Sequence, residues 1–241
     1  MKNKKNKGKI ILLIVLVVIL ICLSTIKVNQ DVEVTKPEIE PVIEEIEQKG
    51  TIKTIDEYRS EYNNNDIIAR LVIKDLEIDT LIAKTSNNTY YLDHDLNKKE
   101  SNLGSPFIDF RNSNNLSNER QINIYSHNSD YYEYQEQLPF YRLEKLLNEE
   151  PFNNAGNIEL YTDNEIMKYE IFAIKIVTTD NEHTVLDSKS EEKWEIHLNK
   201  LLSDTKYCKG NCRLGVDEKL LILQTCNYNP KGSYIILIAK K

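Results

Sequence analysis

What the sequence lacks narrows its chemistry before any residue is singled out. It has no Gly-rich phosphate loop, no G-x-S-x-G elbow, no H-E-x-x-H pair and no EF-hand loop. Those absences remove the usual signatures of nucleotide, serine-hydrolase, zinc-protease and calcium chemistry. Histidine is scarce, and His94, His127, His183 and His197 are scattered, which argues against a multi-histidine metal site. Basic charge is short as well: 31 Lys and Arg stand against 38 Asp and Glu, a formal net charge of −7. Five of the lysines crowd the first nine residues, and the first acidic residue is Asp31. Setting those five and Lys27 aside leaves 25 basic against 38 acidic residues, about −13 for the rest. An acidic surface repels phosphate backbones, so nucleic acid is not expected as a partner.

Charge is absent altogether from Ile10 to Ile26 (IILLIVLVVILICLSTI), 17 residues at the short end of a bilayer-spanning helix. Lysines before it and acidic residues after it predict a cytoplasmic tail over 1–9, a membrane anchor over 10–26 and the remainder outside. No small-x-small cleavage site follows, which disfavours a cleaved signal peptide, and Ile21 is not the small residue that should precede a lipidated Cys22. Residues 27–40 read as a polar, proline-bearing spacer. Two helices are expected within 41–65. Pro41 opens the first, which runs through Gln48, and Thr54 with Glu57 forms a capping box for the second. That second helix aligns Ile55, Tyr58 and Tyr62 on one face.

From 66 to 241 the pattern turns to strands: Ile67–Ile73, Leu76–Ala83, Pro106–Phe110, Gln121–Tyr125, Asn157–Thr162, Met167–Thr178, Lys219–Thr225 and Ser233–Ala239. Helices are expected at about Leu138–Asn148 and Ser190–Leu202, the latter with Trp194, Leu198, Leu201 and Leu202 on one face. Eight strands with few helices predict a mainly β fold, a closed or nearly closed barrel.

Beyond the apolar N-terminal stretch lie three cysteines, Cys208, Cys212 and Cys226, so at least one is unpaired within the chain. Cys208 and Cys212 can close a small disulfide loop or stay as two loop thiols. Cys226 ends the apolar run Leu220–Leu–Ile–Leu–Gln–Thr–Cys226 and precedes a turn-like Asn227–Gly232. His127 follows Ile122–Asn–Ile–Tyr125 in the same way. A thiol and an imidazole at two strand ends can meet at a barrel mouth and activate each other as nucleophile and base. The plainer alternative is an inert buried thiol and an ordinary loop histidine.

Leu223–Gln–Thr–Cys226 resembles the L-x-T-C strand end of sortases, and Ile124–Tyr–Ser–His–Asn128 resembles their Y-G-H-N segment. Tyr90–His94, Gly104–Asn112, Ile158–Thr162 and Tyr169–Phe172 are similar, in order and spacing, to the class B branch of that family. The resemblance covers about residues 40–241. It implies an eight-stranded sortase-type barrel with N-terminal helices and one or two inserted helices. It also implies a cysteine transpeptidase with Cys226 as nucleophile and His127 as proton partner. No cofactor and no metal are implied. The implied partners are surface proteins bearing a sorting signal and an amine acceptor from cell-wall precursor or a pilin, with the membrane reached through the N-terminal anchor. His94 matches a non-catalytic family histidine. Two departures stand out: Ser126 replaces the glycine before the histidine, and Tyr234 occupies the family's arginine position on the last strand. Tyr234 therefore becomes the third candidate site residue, with Arg111 and Lys231 as alternative sources of the missing cation. The rival readings are a sortase fold that has lost activity and serves as a scaffold, and an L,D-transpeptidase. The latter's nucleophile sits in an S-x-G-C-type segment that Gln224–Thr225 does not fit.

Overall fold

Two stretches of the chain, residues 53–178 and 190–241, are described in a computed structural model. The helix expected at Pro41–Gln48 lies outside them, as does the apolar stretch 10–26. The second expected helix forms as α1 (Ile55–Tyr62). Its capping box is complete: the Glu57 amide donates to Thr54 Oγ1 at 3.2 Å, and the Thr54 amide donates to the Glu57 carboxylate at 2.6 Å. Ile55 is buried, with Tyr58 and Tyr62 beside it, against Ile67 and Leu81.

The strands are β1 (Ile67–Ile73), β2 (Ile78–Ala83), β3 (Phe107–Ile108), β4 (Gln121–Tyr125), β5 (Asn157–Tyr161), β6 (Ile166–Val177), β7 (Tyr207–Cys208), β8 (Leu220–Tyr228) and β9 (Lys231–Lys240). They run side by side in the order β5-β1-β2-β3-β4-β8-β9-β6, and β5 also pairs with β6, which closes an eight-stranded barrel. The two-residue β7 attaches to β6 at Ala173 and Ile174. Sequence pattern did not single it out, because two residues show no alternation. Cys208, its last residue, is joined to Cys212 in a disulfide with the Cα atoms 5.4 Å apart, which settles the open choice between bridge and free thiols.

The barrel filling follows from alternation along β8 and β9. Leu221, Leu223, Ile235, Leu237 and Ala239 point inward to the main core. Leu220, Ile222, Ile236 and Ile238 point outward and are covered by a helix, α4 (Glu191–Leu202), through Trp194, Leu198 and Leu201. Burial on both faces explains why Leu220–Leu223 reads as an unbroken apolar run. Each such side chain stabilises the fold by about 1.5–3 kcal/mol of transfer free energy. Ser190 caps α4 by accepting from the Lys193 amide, and buried Lys175 of β6 donates to the Leu201 and Ser203 carbonyls at its other end, each at 3.0 Å.

Several elements differ from expectation. The second strand starts at Ile78, because Lys74–Leu76 form a 3-10 turn closed by Glu77 in the left-handed region, φ 52°. The helix expected at Leu138–Asn148 is a 3-10 helix, Pro139–Leu147. Phe140, Leu143 and Leu146 are its buried residues, and a spacing of three puts them in one row only at three residues per turn. Two short helices, α2 (Tyr132–Gln135) and α3 (Glu149–Asn154), were not expected.

The expected single-pass membrane placement is corrected. A helix needs roughly 20 mostly apolar residues to cross a bilayer. Among the described residues none is long and apolar enough, and α4, at 12 residues, is more than half polar. The localisation that rested on a span at 10–26, with a cytoplasmic N-terminus and an outer catalytic domain, therefore has no support in the structure.

Candidate active site

The parallel pair β4 and β8 delivers the two sequence-predicted partners to one rim. Its register runs Gln121 to Leu220 through Tyr125 to Gln224. Beyond the last pair the chains stay joined: the Ser126 amide donates to the Gln224 carbonyl at 3.2 Å, and Thr225 Oγ1 donates to the Ser126 carbonyl at 2.8 Å. Both His127 and Cys226 stand two residues past the last ladder pair, and both line one cavity. Asn128 tightens the join by donating from Nδ2 to the Cys226 carbonyl at 3.0 Å and to Glu144 at 2.6 Å.

By alternation Cys226 shares the outer face of β8 with Ile222, four residues before it. Across the β8–β9 hairpin its partner is Tyr234, so the two side chains stand next to each other on one face. Cys226, His127 and Tyr234 all line a cavity of about 520 Å³. The Tyr234 ring also packs against the outer apolar cluster under α4. Cys226 is a half-buried free thiol, and burial pushes its pKa above the ordinary cysteine value.

The same cavity is lined by a polar network. The Arg111 guanidinium grips buried Asp109 in a fork, from Nε at 2.8 Å and from its terminal nitrogen at 2.6 Å, while the Arg111 amide adds a third bond at 2.9 Å. The Tyr125 hydroxyl donates to Asp109 at 2.8 Å, and Asn88 donates at 3.1 Å. Burial alone drives the Asp109 carboxyl up, but the Arg111 and Tyr125 hydrogen bonds outweigh it and hold the group below the ordinary carboxylate range. Burial, then the Asp109 charge, pushes Tyr125 far above the ordinary tyrosine value. Arg111 lines the cavity; Lys231 does not. His94 stays apart from the cavity lining, stacked on Tyr90 at 4.1 Å with Nδ1 2.7 Å from Asp93. Among the described residues no cluster of ligands suits a metal ion.

Sequence reasoning missed the Asp109 network and the roles of Asn128 and Leu92, whose carbonyl meets His127 at 2.7 Å. A usable signal was present for the first. Asp109 opens a turn, its carbonyl accepting from the Asn112 amide at 3.0 Å, and an aspartate at such a position accepts from the amide two residues on, which brings Arg111 back onto its carboxylate.

A family model for the sortase domain matches residues 71–241. The chain belongs to the sortase family. Members of that family are cysteine transpeptidases. Among curated relatives, sortase B of Listeria monocytogenes is 27% identical over 165 residues, covering 68% of this chain and 64% of the relative, just under two thirds of its length. Sortase B of Staphylococcus aureus is 23% identical over 184 residues, covering 73% of this chain and 70% of the relative. The crystal structure of Clostridium perfringens sortase B superposes with a TM-score of 0.67 at 24% identity, covering 77% of this chain and 98% of that one. That likeness shows the fold: a sortase-type barrel of the class B kind, as the motifs implied.

Proposed function

We propose that this sortase-family protein is a cysteine transpeptidase that cuts a peptide bond in the sorting signal of a surface protein and passes the acyl group to an amine. The observation that carries the reading is the convergence of Cys226, His127 and Tyr234 on one cavity at the ends of β4, β8 and β9. The thiolate of Cys226 attacks the scissile carbonyl carbon, and the Tyr234 hydroxyl donates to the oxygen as negative charge gathers there. His127, as imidazolium, gives its proton to the departing nitrogen, the C–N bond breaks, and a thioester to Cys226 remains. An amine then attacks the thioester, its proton passes to His127, and the C–S bond breaks to free the thiolate. A thiolate serves here because it both attacks and leaves readily. The amine is cell-wall precursor or a pilin lysine, and no cofactor enters. Arg111, held in its fork by Asp109, lines the same cavity and supplies the positive charge that Tyr234 does not.

The test incubates the full chain with a library of sorting peptides and traps the thioacyl enzyme for mass spectrometry. A peptide-dependent adduct confined to Cys226 is expected. Cys226→Ala should form none while keeping its melting temperature, since the thiol is half-exposed and contributes little packing. His127→Ala should lower turnover by about 10² to 10⁴-fold through loss of the proton carrier. No adduct with any peptide would leave a sortase fold acting as a scaffold.

A further inference from the structure

The His127 side chain is anchored by the backbone of a distant segment. Its Nε2 lies 2.7 Å from the Leu92 carbonyl oxygen, at the end of a 3-10 turn over Tyr90–Leu92. A carbonyl oxygen can only accept, so this bond requires a proton on Nε2. In the neutral ring the lone pair then sits on Nδ1, and any proton that His127 takes or gives passes through Nδ1.

The carbonyl is itself fixed in place. The preceding ring, Tyr91, is buried, with its hydroxyl accepting from Asn64 at 2.8 Å and donating to Asp66 at 3.0 Å. The Ser105 amide donates to the Tyr91 carbonyl at 2.9 Å, and the Gly104 amide donates to the Ser101 carbonyl at 2.9 Å. Gly104 closes this arrangement at φ +59°, where side chains are disfavoured. A Cβ on Gly104 would lie 2.4 Å from the Tyr91 oxygen and 2.7 Å from the Leu92 oxygen, the same atom that meets His127. Both contacts are to backbone, which cannot swing aside as a flexible side chain would.

We infer that Gly104 is a positioning residue: by leaving room for the Leu92 carbonyl, it holds His127 as the Nε2–H tautomer and makes Nδ1 the nitrogen that exchanges protons with Cys226 and the departing amine. The role of Nδ1 in turnover rests on the proposed transpeptidase reading, whereas the tautomer does not.

Long-range nitrogen–proton NMR on the histidine-labelled full chain tests it, with the His127 signals assigned by their loss in His127→Gln. The neutral wild-type ring should carry its proton on Nε2. Gly104→Ala should give mixed tautomers and lower kcat for peptide cleavage by about 10 to 100-fold, with KM within about twofold, because a small misplacement of a reacting group acts on the chemical step. If Gly104→Ala does not fold, an ester in place of the Leu92–Asp93 amide weakens the same acceptor and carries the same expectation. A wild-type ring protonated on Nδ1 overturns the inference, and so does a Gly104→Ala or ester variant that keeps a pure Nε2–H ring and full kcat. The tautomer is read without substrate, so failure of this inference and failure of the transpeptidase reading are told apart.

Discussion

Tyr234→Phe removes one hydroxyl from the cavity and nothing else. The residue is the direct cross-strand partner of Cys226, which sets the two Cβ atoms roughly 5 Å apart. Tyr234 lines the cavity and packs against the apolar cluster under α4. If the hydroxyl donates to the developing oxyanion, its loss should cost about 3 kcal/mol of transition-state stabilisation, or roughly 10²-fold in rate. A hydroxyl that only supports the fold is worth about 1 kcal/mol, or about 2–4 °C in a domain this size. The assay is single-turnover thioester formation on the full chain, with thermal unfolding measured in parallel. A 10²-fold slower acylation with a melting temperature within about 4 °C of wild type supports the donor role. Tyr234→Arg should match or exceed wild type, because it restores a cation while its methylenes keep part of the packing. A Phe variant at full rate together with an unfolded Arg variant would refute the reasoning and make Tyr234 a packing residue.

Burial raises the Cys226 pKa, so most of the free enzyme holds a neutral thiol at neutral pH. Alkylation of Cys226 by iodoacetamide should keep accelerating beyond about pH 8.5, the ordinary cysteine midpoint; a plateau at or below that pH would contradict the burial argument. The same shift makes a small stability contribution that is present below the unfolded-state value and lost as pH rises through the higher folded-state value. The Cys208–Cys212 bridge closes a short loop, so its reduction should cost about 2 kcal/mol on the chain-entropy model and lower the melting temperature by about 4–8 °C. Peptide cleavage should be untouched at permissive temperature, because neither sulfur lines the cavity. Unchanged stability on reduction would show that the bridge constrains nothing in the unfolded chain.

Strand content was legible because alternation leaves a mark, and the doubly buried Leu220–Leu223 run marked the strand that carries the thiol. The α1 capping box was legible for the same local reason. What escaped was structure without a periodic signature. A two-residue β7 shows no pattern, and in Pro139–Leu147 the spacing of three that marks the tighter pitch was read as an ordinary helix. Tyr234 came from the resemblance alone, as the residue at the family's arginine position eight residues after the cysteine; the β8–β9 register makes it the cross-strand partner of Cys226. The Leu92 carbonyl could not be read at all, because a backbone acceptor leaves no residue type behind.

Strand direction explains why the site sits where it does. His127 and Cys226 are 99 residues apart, yet each comes two residues after the last pair of the same parallel ladder. Parallel neighbours end on the same side, so residues that follow them share a rim. Had β4 and β8 run antiparallel, their ends would lie at opposite ends of a five-pair ladder, roughly 17 Å apart. Tyr234 arrives by the opposite route, since an antiparallel hairpin returns the chain beside the residue it has just left. One parallel pair and one hairpin therefore suffice to gather three side chains from distant and adjacent sequence. The hydrophobic alternation that fills the barrel also points Cys226 and Tyr234 outward, away from the core. A one-residue slip of β9 against β8 would leave the barrel strand count unchanged but turn Tyr234 into the core and Ile235 toward the thiol. Apolar burial of Ile235 and Leu237 thus holds the geometry of the site in register.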